Sequence, residues 1–142
     1  MNNTKIAMKL VALLLVVAAL LPVGAMAANH EFSFSFSNLA NQTTASYQKS
    51  DSEQHWYVSL DKINSNTGIA NTLGETNILG LRMNQKGVGY VSEYHTFSNY
   101  VTSYQLDYTS TVTTSMYLYM GAKKDSDSTS STALRISGRF CP

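Results

Sequence analysis

Apolar and polar residues alternate with a period of two through most of the chain after residue 30. Phe32, Phe34 and Phe36 alternate with Ser33, Ser35 and Ser37. Successive side chains of a strand point to opposite sides, so this run predicts a strand with one apolar and one hydroxyl face. Gln42 to Lys49 reads as a weaker strand. His55 to Leu60 puts Trp56, Val58 and Leu60 on one side and His55, Tyr57 and Ser59 on the other. Asn77 to Met83 and Gly87 to Glu93 flank the turn-forming Asn84-Gln85-Lys86-Gly87, which predicts a hairpin. Tyr100 to Tyr108 aligns Tyr100, Tyr104, Leu106 and Tyr108 by parity, so these tyrosines are expected to face the core. Val112 to Met120 sets Val112, Thr114, Met116, Leu118 and Met120 against Thr111, Thr113, Ser115, Tyr117 and Tyr119. Leu134, Ile136, Gly138 and Phe140 alternate with Arg135, Ser137 and Arg139.

These runs amount to seven or eight strands and no amphipathic helix. Alternation of this kind predicts antiparallel sheets with one dry face each. The expected fold is all-β, an antiparallel two-layer β-sandwich, with a small β-barrel as the alternative. Two connections stand out. Asn64 to Thr76 is rich in Asn, Thr and Gly, and Lys123 to Ser131 is rich in charges and hydroxyls and is expected to be flexible and exposed.

The first 27 residues have a different pattern. Lys5 and Lys9 precede twelve uninterrupted apolar residues, Leu10 to Leu21. Pro22 and Gly24 end that run, and Ala25-Met26-Ala27 places small residues at −3 and −1. This is the layout of a cleaved secretory signal helix, and the apolar run is short of the ~20 residues a membrane span needs. Residues 1–27 are therefore read as a signal peptide and 28–142 as one secreted domain, released without a membrane anchor.

Composition narrows the function classes. Residues 28–142 carry eight Lys and Arg against nine Asp and Glu, a net charge of −1. A nucleic-acid binder would carry a basic stripe instead. Nine Tyr, five Phe and one Trp, all after residue 28, exclude a disordered tail. The lone cysteine, Cys141, rules out an internal disulfide framework and leaves a dimer through Cys141 as one possible use of the thiol.

Candidate chemistry is sparse. His30, His55 and His95 are not at metal-ligand spacing, and surface or half-buried histidine is the ordinary reading. Asp125-Ser126-Asp127-Ser128 has oxygen ligands at alternate positions but lacks the glycine turn and closing glutamate of an EF-hand, so a solvated loop is favoured over calcium. There is no Gly-x-Ser-x-Gly elbow. No catalytic residue, metal site or cofactor is expected. Tyr117, Tyr119 and Tyr57 are different, because parity puts them on polar sheet faces. Aromatic rings there can stack on sugars or contact partners, although cross-strand packing is the commoner use. They are the candidate binding residues.

The chain also resembles a group of small exported Firmicutes β-proteins classed as a domain of unknown function. The resemblance rests on Phe32-Ser33-Phe34-Ser35-Phe36, Leu79-Gly80-Leu81-Arg82, Gly89-Tyr90-Val91-Ser92 and the closing Ile136-Ser137-Gly138-Arg139-Phe140-Cys141-Pro142. It implies export and a small β-fold, and no reaction. Ser92-Glu93-Tyr94-His95 is similar to a Ser-x-Tyr-His stretch of bacteriocins of the lactococcin-972 type. The chain departs from that type in being longer and in having its only Trp early, at Trp56.

Three functions follow in order of expectation. The first is an exported non-enzymatic interaction module whose partner is cell-wall glycan or a surface protein. The second is a secreted bacteriocin-like antagonist, and the third a small secreted hydrolase.

Overall fold

A computed structural model describes residues 28–142. The signal segment expected over residues 1–27 lies outside the described residues. Those described form ten strands and no helix: β1 His30–Phe36, β2 Gln42–Thr43, β3 Tyr47–Gln48, β4 His55–Leu60, β5 Leu79–Gln85, β6 Gly89–Tyr90, β7 His95–Phe97, β8 Tyr104–Asp107, β9 Tyr117–Lys124 and β10 Leu134–Cys141. They build two open antiparallel sheets. The first runs β1-β10-β4-β8. In the second, β9 and β5 are central; β2 and β3 share the outer edge of β9, and β6 and β7 share that of β5. The architecture is the expected sandwich, and neither sheet closes into a barrel.

The alternating apolar positions form the layer between the sheets. Phe32, Phe34, Phe36, Trp56, Val58, Leu60, Ile136 and Phe140 come from the first sheet, and Leu79, Leu81, Met83, Leu118 and Met120 from the second. All are buried in one cluster. The expected hairpin forms, but Asn84 and Gln85 continue β5 and the turn falls at 86–88: Gly87 and Gly89 hold φ of 80° and 126°, a region closed to most L side chains, and Gln85 pairs with Gly89.

Four segments depart from the sequence expectation. The Val112–Met120 strand begins five residues late, at Tyr117, and runs on through Gly121, Ala122, Lys123 and Lys124. Residues 113–116 instead form a turn, with the Met116 amide bonding the Thr113 carbonyl at 3.0 Å and the Thr113 and Ser115 hydroxyls 3.0 Å apart. Local hydroxyl bonding of this kind competes with a strand ladder. The face assignment still holds, since Leu118 and Met120 are buried and Tyr117 is exposed.

Lys123–Ser131 is exposed as expected at Ser126, Asp127, Thr129 and Ser131, but it begins inside β9 and is anchored there. Lys124 is buried and its Nζ donates to the carbonyls of Ser130 and Thr132 at 2.6 and 2.8 Å. Asp125 is buried too.

The Tyr100–Tyr108 run breaks at Ser103, whose φ is 47°, so only Tyr104–Asp107 is strand, while Tyr100 and Tyr108 pack against the core as expected. Tyr104, expected inside, is half exposed and meets Phe97 edge-on. Gln42–Lys49 is likewise interrupted between β2 and β3. There the Thr44 amide bonds the Met120 carbonyl, and the Thr44 hydroxyl accepts from the Met120 amide, both at 3.0 Å.

Candidate functional site

The outer face of the second sheet is built from the positions that alternate with its core residues. On β5 these are Gly80, Arg82 and Asn84; on β9 they are Tyr117, Tyr119, Gly121 and Lys123. The register pairs Gly80 with Lys123, Arg82 with Gly121 and Asn84 with Tyr119, and Asn84 also pairs with Tyr90 on β6. One continuous surface therefore carries Lys123 and Arg82 at one end and Tyr119 and Tyr117 at the other.

Two glycines shape a groove in this surface. A side chain at Gly80 would collide with the Tyr94 ring, whose hydroxyl lies 1.6 Å from where a Cβ would stand. Tyr94 thus lies flat against the sheet because β5 has no side chain there. Gly121 leaves room in the neighbouring row for the Asn84 amide, which lies 3.0 Å from where a Cβ would stand. The resulting cavity, about 330 Å³, is lined by Asn41, Arg82, Asn84, Tyr90, Tyr94, Gly121 and Lys123.

Its charges are held by aromatic rings. The Arg82 guanidinium sits 4.0 Å from the centre of the Tyr90 ring and 5.4 Å from that of Tyr94, and Lys123 Nζ is 5.0 Å from the Tyr94 ring. Cations are attracted to ring faces at such distances. Arg82 Nε is buried without a hydrogen-bond partner. Among the described residues neither Arg82 nor Lys123 has a carboxylate within 4.0 Å. The Tyr94 hydroxyl donates to Asp125 Oδ2 at 2.6 Å. Burial, and then this bond, raise the Tyr94 hydroxyl above the ordinary tyrosine value, so it stays protonated. Burial alone would raise the Asp125 carboxyl. The Tyr94 hydroxyl, the Asp127 amide and the charge of Lys123 outweigh it and hold that carboxyl below its ordinary value.

The three candidate tyrosines separate. Tyr117 and Tyr119 join the groove face. Tyr117 is half exposed and Tyr119 half-buried. Tyr57 lies on the opposite side of the sandwich, in β4, paired with Cys141 on β10 and Gln105 on β8. Its hydroxyl donates to Glu53 Oε2 at 3.1 Å and lies 3.5 Å from Gln105 Oε1. Burial and Glu53 raise it above the ordinary tyrosine value. Cys141 is buried, and burial together with Asp51 pushes its thiol up, which keeps it protonated and a poor nucleophile.

Sequence reading missed Arg82, Tyr90, Tyr94, Lys123 and Asn41. Arg82 and Lys123 lie in no binding motif, since the Leu79-Gly80-Leu81-Arg82 likeness implies no reaction or ligand, and Tyr94 follows the short strand β6 in a segment with no alternation. The one available signal was Gly80 and Gly121 inside strand runs, where a missing side chain marks close approach of another group.

No family model, curated protein or solved structure significantly matches this chain.

The first sheet has a cavity as well, about 410 Å³, lined among others by Glu31, Asp61, Asn64, Asn66 and Arg139. Although larger, it is the weaker candidate, because its polar groups already face one another. Arg139 is 4.0 Å from Asp61, and Asn66 Nδ2 is 3.5 Å from Glu31. His55 and Asp107 on the same face lie 2.6 Å apart as exposed cross-strand partners. Among the described residues no group of three or more His, Cys, Asp or Glu is placed to hold a metal, and nothing points to catalysis.

Proposed function

We propose that the processed chain is an exported, non-enzymatic binding module that docks on cell-wall glycan through the outer face of its second sheet. One observation carries this reading: Tyr117 and Tyr119 share that face with a groove walled by Tyr90 and Tyr94 and lined by the amides of Asn41 and Asn84. Tyrosine rings offer apolar area at low entropic cost to the C–H faces of sugars, and side-chain amides can pair with sugar hydroxyls. The two rings of β9 stand ~7 Å apart, two strand residues at ~3.4 Å each, which suits a row of sugar units better than a single one. The signal-like N-terminus and the hydroxyl-rich strands support the same setting.

The test is retention of the purified protein on isolated cell wall. Changing Tyr117→Ala and Tyr119→Ala together should weaken retention ~30-fold or more, the loss typical of a binding hot spot, while the far-UV spectrum stays that of a β-protein. Unchanged retention would refute the assignment of this face.

A further inference from the structure

We propose that the groove between Arg82 and Lys123 is an anion subsite, so that the glycan recognised is acidic, carrying carboxylate or phosphate groups along its chain. This rests on the reading of the second sheet's outer face as a glycan surface. It goes beyond that reading by assigning the charge of the ligand and the residues that select it.

Two cations line one small cavity in a domain whose net charge is −1. Like charges drawn together at a surface cost free energy unless something of opposite sign offsets them. Elsewhere in the fold the buried basic groups are satisfied. Lys49 is paired with Asp51 at 2.7 Å, and Lys124 is held by two carbonyls. Arg82 and Lys123 differ, since neither makes an ion pair among the described residues. Asp125, whose carboxyl the charge of Lys123 helps to hold down, is buried and already accepts the Tyr94 hydroxyl and the Asp127 amide. It steadies the groove wall and leaves the two cations facing the cavity in excess.

Arg82 is also preorganised. The rings of Tyr90 and Tyr94, centred 4.0 and 5.4 Å away, hold the guanidinium. Its Nε is enclosed and unpaired, so the hydrogen-bonding capacity of this cation rests on the terminal nitrogens. A planar guanidinium held in place suits the two oxygens of a carboxylate or phosphate, and Lys123 adds a second positive point on the far side of Tyr94. Between them the cavity is lined by Gly121 and by the amides of Asn41 and Asn84, whose N–H groups can donate to the same acidic group. The tyrosines of β9 then continue the track along the same face, so charge is read at one end of the groove and sugar rings at the other.

The test compares three polymers in affinity electrophoresis: polygalacturonate, poly(glycerol phosphate) and the neutral glucan laminarin. The protein should be retarded by at least one of the two acidic polymers and much less by laminarin. The retardation should fall as salt is raised from roughly 0.05 to 0.5 M, as expected when exposed charges are screened. Which acidic polymer binds identifies carboxylate or phosphate as the group recognised. Lys123→Gln, a change at a half-exposed side chain, should weaken that binding about tenfold. Arg82→Gln should weaken it at least as much, and Arg82→Lys should restore only part of the loss. Equal retardation by laminarin, or acidic binding untouched by both Lys123→Gln and Arg82→Gln, would overturn the anion subsite while leaving a glycan-binding face standing. Failure to bind any of the three polymers or isolated cell wall would overturn both.

Discussion

The two outer faces of the sandwich come from the same kind of strand and end in opposite states. On the first sheet, polar groups answer one another across the strands: Glu31 stands opposite Arg139, Ser33 opposite Ser137, and His55 meets Asp107 at 2.6 Å. Tyr57 is tied to Glu53. On the second sheet, Arg82 and Lys123 have no ion pair among the described residues, and Tyr90 and Tyr117 are 68% and 50% exposed. A face that satisfies itself has little to gain from a ligand. A face that leaves cations unpaired and rings uncovered gains whatever a complementary partner supplies. The difference comes from small residues. Gly80 admits Tyr94 onto the sheet and Gly121 makes room for the Asn84 amide, whereas on the first sheet the corresponding rows carry side chains that pair with one another.

The largest expected effect strikes both faces together. Leu118 lies between Tyr117 and Tyr119 in sequence but is fully buried in the shared core. Leu118→Ala should cost ~2–5 kcal/mol and lower the melting temperature far more than Thr113→Ala in the exposed turn. A melting curve for each variant checks this, and equal shifts would break the face assignment of β9. A smaller and one-sided effect is expected at Gly80. A methyl there must displace Tyr94, at a cost of ~1–3 kcal/mol by analogy with overpacking. Glycan retention should fall while the fluorescence of Trp56, buried between the sheets on the first sheet's side, keeps its wavelength.

These two sites also show how far the amino-acid pattern reaches. The β-sandwich was legible because Phe32-Ser33-Phe34-Ser35-Phe36 and Trp56-Tyr57-Val58-Ser59-Leu60 alternate without interruption, and burial follows that alternation. The hairpin turning at 86–88 was legible from its glycine. The interruptions were not. Ser103 takes a left-handed φ, and nothing local announces it. The turn at 113–116 is made of residues that suit strands equally well. The binding face was half legible. Parity put Tyr117 and Tyr119 on a polar side, but the partners that make that side distinctive arrive from Tyr90, Tyr94 and Asn41, far away in sequence or outside any alternating run. Parity also treated Tyr57 as their equal, because it cannot tell which polar face neighbouring strands will saturate.

The Tyr94–Asp125 bond gives the open face a pH signature. The Asp125 carboxyl is held below its ordinary value near 3.8, so its stabilising contribution is complete above that pH and is lost as pH falls through the lower folded value. The Tyr94 hydroxyl is held above its ordinary value of 10.0, so its contribution is complete below pH 10 and fades as pH rises beyond it. Denaturant melts across this range should show both losses in the wild type, and Asp125→Asn should remove the acid limb. Smallest of all should be Tyr57→Phe, which removes one exposed hydrogen bond. A stability change within ~0.5 kcal/mol and unaltered glycan retention are expected, and a loss of retention would move the site to the first sheet.

The central claim is that one face binds and the other does not, and a backbone amide NMR titration of the protein with solubilised cell-wall glycan tests it most directly. The account predicts progressive shifts at Arg82, Asn84, Tyr90, Tyr119, Gly121 and Lys123, with Ser33, Tyr57, Ser59 and Arg139 unmoved. Shifts centred on the second group would contradict it.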